Sequence, residues 1–164
     1  MTRNSLRRFA AAAVAAAVVA SGGNLLAAEP AGHRHEAAAP HRLALDHGKK
    51  WATDEPLRLG MSRVRDALAA RLGGIRSGKL KSDEYAMLAT EVEAQVAFMV
   101  QNCKLDPAAD ENLHLIIAEM ATGIDAMRGR PARTGPRRGA LKVSKALRDY
   151  SKYFDHPGWI GIGG

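Results

Sequence analysis

The chain has 164 residues, a formal charge of +7 and a single cysteine, which fits one domain and rules out an internal disulfide. Removal of residues 1–28, which carry three arginines and no acid, takes +7 to +4, too mild a charge for nucleic acid to be an expected partner of an exported protein. Aromatic residues are 5% of the chain, so the core is expected to be Leu, Val, Ile, Met and Ala.

Residues 1–9 are basic, with Arg3, Arg7 and Arg8, and an Ala/Val run follows before Ala27-Ala28 and Glu29. A basic start, a short apolar run and small residues at a cleavage point describe a signal peptide over 1–28 and a periplasmic or secreted product. The apolar run is too short to span a bilayer, which needs about 20 residues. No transmembrane segment is therefore expected after cleavage. Residues 29–50 are rich in Ala, Pro and His and have no useful apolar period, so they are expected to form a flexible tail. His33, His35, His41 and His47 lie in it, and short His-rich tracts chelate Cu(II), Ni(II) or Zn(II) loosely.

The first helix is expected from Thr53-Asp54-Glu55-Pro56, with Thr53 or Asp54 as cap and Pro56 in the first turn. Leu57, Met61, Val64, Leu68 and Leu72 form its apolar stripe, and Gly73-Gly74 is read as its end, followed by a short basic loop over 73–81. The second helix starts at Ser82, carries Tyr85, Leu88, Val92, Val96, Met99 and Cys103 on one stripe, and stops before Asp106-Pro107. That pair opens the third helix, whose stripe is Leu113, Ile117, Met120, Ile124 and Met127. A Pro/Gly/Arg loop over 129–139 leads to the fourth helix near Pro136, with Ala140, Val143, Leu147, Tyr150 and Phe154 in line and Pro157-Gly158 as the stop. No segment alternates as a strand would. The expected fold is all-α: an up-down-up-down antiparallel four-helix bundle over residues 51–160.

In that topology the first helix starts, the second ends, the third starts and the fourth ends at one pole. Met61, Met99, Cys103, His114 and His156 all belong there, with Trp51 and Trp159 flanking it. Two tryptophans can plug an open bundle end or wall a pocket. Methionine on an apolar stripe is ordinary core filler, and a histidine at a helix C-terminus can serve as a cap. Asp155 and Tyr153 stand where they could orient the His156 ring. Together, thioether, thiolate and imidazole are the ligand types of copper, most of all Cu(I), and of haem b. Zinc would call for more Cys, His or carboxylate ligands at close spacing.

The chain has no C-x-x-C-H for covalent haem, no H-E-x-x-H, no G-x-S-x-G and no phosphate-binding glycine loop. Asp110-Glu111 precede His114, but no second copy supplies a di-iron set. No enzyme is expected. The expected roles are binding of a metal ion, copper first, or docking to an envelope protein partner without a metal.

The architecture over residues 54–156 resembles the periplasmic four-helix-bundle cytochromes, the soluble b-type cytochrome and the cytochromes c-prime. Met61 in LRLGMSRVRDAL and His156 in YFDHPGW stand where the b-type protein has its haem-ligating methionine and histidine. The resemblance implies a non-covalent haem b held by Met61 and His156 in an electron carrier.

Overall fold

The computed structural model describes residues 42–130 and 133–163. Residues 1–28, expected as a signal peptide, residues 29–41 of the expected tail and the candidate ligands His33, His35 and His41 lie outside them. Among the described residues there are five helices and no strand: α1 (Glu55–Ala69), α2 (Leu72–Ser77), α3 (Ser82–Asn102), α4 (Pro107–Met127) and α5 (Pro136–Tyr153). No helix among them is long and apolar enough to cross a membrane.

Each start follows from local chemistry. The Leu57 N–H donates to Asp54 Oδ1 at 2.9 Å, so Asp54 caps α1 and Pro56 occupies its first turn. Glu84 Oε2 reaches back to the Lys81 N–H at 2.8 Å at the head of α3. Pro107 and Pro136 each stand at the first position of their helix, where a missing N–H costs nothing.

The first helix stops earlier than the Gly73-Gly74 pair suggests. It ends at Ala69, and those glycines lie inside the short helix α2. The left-handed stop is Gly78, at φ 68°. Ile75 of α2 is fully buried, and a Cβ on Gly74 would strike the Leu80 side chain, so Leu80 folds back over the glycine. Arg137 at the head of α5 donates from Nε to Ile75 O at 2.8 Å and from Nη2 to Arg76 O at 2.9 Å. The expected basic loop is thus helical because its carbonyls and its isoleucine find distant partners.

The four long helices share one core. Leu57, Met61, Val64 and Leu68 meet Tyr85, Leu88, Val92 and Met99, then Leu113, Met120, Ile124 and Met127, then Ala140, Val143, Leu147 and Tyr150. On α4 Ile116 is fully buried where the spacing had placed Ile117, which is only partly covered. α3 packs against α1 and α4, and α5 against α4 and α1. The start of α1 touches the end of α3, where Gly60 accepts the Met99 side chain. The end of α4 touches the start of α5. There a Cβ on Gly139 would lie 2.5 Å from Gly123 O and 2.6 Å from Met127 N, and one on Gly123 would lie 2.7 Å from Val143 Cγ2. Only hydrogen fits between these two helices, so glycine is required for the close approach rather than for an unusual φ.

Residues 42–50, expected in the flexible tail, are laid against the helices. The Ala44 N–H donates to buried Asn112 Oδ1 at 2.9 Å, and Trp51 Nε1 donates to Ala44 O at 2.7 Å. Leu43 and Trp51 pack on the core. Trp51 N–H donates to Tyr153 O and accepts from Asp155 N–H at its own carbonyl, both at 2.8 Å, which pairs the segment alongside Phe154. The tail reading fails here because side-chain and backbone partners distant in sequence supply what apolar periodicity does not.

Gly139→Ala is expected to destabilise the protein by about 3 kcal/mol, since neither helix backbone can move without unpacking its neighbour. Chemical denaturation followed by circular dichroism measures it. A loss under about 0.5 kcal/mol would mean that the α4–α5 contact opens freely.

Candidate functional site

The segment before α1 touches both the exit of α3, after which α4 begins, and the exit of α5. Asp54 joins the first two. Beyond capping α1, its Oδ2 accepts the Lys104 N–H at 2.6 Å, and its charge adds to burial in raising the Cys103 thiol. Thr53 Oγ1 donates to Asp155 O at 2.6 Å, and Arg58 Nη1 donates to Thr53 Oγ1 at 3.1 Å. The segment before α1 therefore straps the exit of α5 to the exit of α3.

The five expected pole residues separate into two neighbourhoods and a core position. Met99, Cys103 and His114 line one groove of about 210 Å³ between α3 and α4, together with Val100, Asp110, Leu113 and Ile117. Met99 is fully buried at its floor, with its sulfur against Gly60. Cys103 lies half-covered at the side. His114 stands at the mouth with its side chain 62% exposed, and its Nδ1 lies 2.9 Å from Asp110 O and 3.3 Å from Asp110 Oδ2. With the Nδ1 proton donated there, the lone pair of Nε2 is left facing outward.

Met61 is fully buried in the core. His156 belongs to the second neighbourhood. Its Nδ1 pairs with Tyr150 Oη at 2.9 Å, and its ring lies 4.9 Å from the Trp159 ring. The ring is thus oriented by Tyr150, where the sequence had suggested Asp155 or Tyr153. Trp159 stands edge-on to Tyr150 at 5.1 Å and carries the Arg65 guanidinium over its face at 5.5 Å. Trp51 and Trp159 plug this end. His47, the one tail histidine among the described residues, sits in a left-handed turn at φ 47° with its side chain 99% exposed.

The electrostatics are set by burial and by carboxylates. Burial, then Asp54 and Asp110, push the Cys103 thiol up to about 12, so it is protonated at neutral pH and is not an activated nucleophile. Burial also raises Tyr150. Burial, then Arg58 and Arg65, lower His156 below the usual histidine range. Among the described residues no group of three or more His, Cys, Asp and Glu side chains is gathered closely enough to hold a metal ion. Any metal in the α3–α4 groove would use sulfur from Met99 and the Cys103 thiolate, with His114 turning in, which is soft-ion chemistry.

Sequence reasoning missed Asp54 as a group reaching beyond its own helix and Tyr150 as the partner of His156. Asp54 looks like an ordinary cap and Tyr150 like an ordinary stripe residue. Asp110 of the groove was noticed only as part of an absent di-iron motif.

Cys103 is expected to react slowly with a disulfide reagent at neutral pH and faster as pH rises toward 12. Asp54→Asn keeps a capping side chain and removes the charge, so the reaction should speed up by about tenfold at neutral pH. An unchanged rate in a folded variant would take Asp54 out of this role. His156 gives a second pH signature. Its folded pKa lies below the unfolded value of about 6.5, so its neutral form stabilises the fold above that pH and the contribution is lost as pH falls through it. Thermal melts from pH 8 to pH 5 should therefore show a decline below about 6.5 that is smaller in His156→Gln.

Comparison of the chain with protein-family models, with curated proteins and with solved structures gave no match in any of the three, so the groove's own chemistry carries the functional argument.

Proposed function

We propose that this chain is an exported, non-enzymatic up-down-up-down four-helix bundle that takes up a soft metal ion, copper(I), in the groove between α3 and α4. The observation that carries the reading is the meeting of thioether, thiol and imidazole, from Met99, Cys103 and His114, in one groove. Such a set selects Cu(I) over harder divalent ions. Loading exchanges the Cys103 thiol proton for the metal: the S–H bond breaks, an S–Cu bond forms and the proton passes to solvent. Affinity then rises about tenfold per pH unit below the thiol's pKa. Tyr150, Trp159 and His156 close the neighbouring end and hold α5 in place. The export reading rests on the basic and apolar pattern of residues 1–28.

A second reading, an envelope protein-interaction module without metal, is favoured by the protonated thiol and by the local hydrogen bonds that occupy His114 and His156. Total metal by mass spectrometry on tag-free mature protein, followed by Cu(I) competition against a coloured chelator, separates the two. About one copper per chain is expected, with Cys103→Ser and His114→Ala each weakening it by tenfold or more while helix content stays constant. No copper after incubation would remove the metal reading and leave the interaction module. Iron with a Soret band would restore haem b on Met61 and His156.

A further inference from the structure

We infer that the exposed face of α5 is a docking surface for anionic lipid headgroups. Charge is divided unequally among the helices. α3 and α4 each carry four carboxylates and no Lys or Arg, whereas α5 carries six Lys or Arg and one acid, Asp149. The apolar stripe of α5 is buried, so its cations stand on the opposite side. Arg138, Leu141, Lys145, Arg148 and Lys152 are all exposed and recur at spacings of three and four residues, which puts them on one line of the helix. At 1.5 Å per residue the row is about 21 Å long. Lys50 joins it near the far end, where Nζ donates to Ser151 O at 2.7 Å.

Local acids leave much of this charge uncompensated. Asp149 lies 2.7 Å from Lys145 Nζ and 3.6 Å from Lys152 Nζ. Arg138 and Arg148 have no carboxylate partner among the described residues. The row has one half-exposed apolar side chain, Leu141, and no aromatic anchor. A protein partner would be expected to grip tryptophan, tyrosine or a pocket. A lipid surface asks only for a line of cations within a Debye length of its headgroups. The acidic helices α3 and α4 are repelled by the same surface, which orients the molecule with α5 inward. This inference stands independently of any metal in the groove.

Co-sedimentation of the mature protein with phosphatidylcholine vesicles, with and without about a third phosphatidylglycerol, tests it. Binding is expected only to the anionic vesicles at low salt, with release at about 0.5 M salt. Each Lys or Arg near an anionic surface contributes about fivefold, so the triple variant Arg138→Gln, Lys145→Gln, Arg148→Gln should bind about 100-fold more weakly. The control Asp83→Asn, Glu111→Gln on the acidic helices should bind at least as well as the parent, and melting curves confirm that both variants fold. Equal binding to neutral vesicles, no binding to anionic ones, or an unaffected triple variant would overturn the inference. Lipid-free self-association that the triple variant abolishes would assign the face to a second copy instead.

Discussion

The carboxylate of Asp54 has both oxygens committed, and the geometry of the functional pole follows from that. One oxygen holds the Leu57 N–H at the start of α1, and the other holds the Lys104 N–H where the chain leaves α3. A charged acceptor strengthens each of these bonds relative to a neutral one. Asp54 thereby fixes the position of the α3 exit against α1 and, after burial, helps to keep the groove cysteine protonated. The backbone pairing of Trp51 with Tyr153 and Asp155 extends the clamp to α5.

At the other side of the core the constraint is steric. Gly123 and Gly139 let α4 and α5 approach until backbone meets backbone. Such an interface spends no side-chain volume on the contact. The rest of α5 can therefore divide cleanly into a buried stripe and an exposed cationic row. Lys142 nonetheless reaches Glu119 across the same interface at 3.2 Å, so part of the α5 charge is used to hold its neighbour.

The proposed copper site and the plugged end beside it differ in character. The groove between α3 and α4 is lined by sulfur, carboxylate and imidazole, and its histidine is held only by the adjacent turn of α4. The Tyr150, His156 and Trp159 cluster is packed ring against ring, which suits a structural closure. A metal held there by Met99 and Cys103 would take the place of the thiol proton. This makes loading a proton-linked event rather than occupancy of a ready-made cage. The cationic face of α5, opposite in charge to the acidic helices, is the surface proposed to meet anionic lipid headgroups.

The sequence by itself determined the helices. Spacings of three and four residues placed most of the buried stripes, and Asp54, Pro107 and Pro136 marked starts, because caps and periodicity are local properties of the chain, whereas α5 ends at Tyr153, ahead of the Pro157-Gly158 stop that the sequence suggested. It also led to the expectation that Met61, Met99, Cys103, His114 and His156 share one pole, since antiparallel order follows from short connections. Tertiary structure alone decided which of them share a groove: side-chain direction separates Met99, Cys103 and His114 from His156 and leaves Met61 in the core. It alone made α2 helical, through Ile75 burial and Arg137 on its carbonyls, and laid residues 42–50 on α4 through Asn112. The last two outcomes depend on partners more than 60 residues away, and no local pattern in the chain records such a pairing.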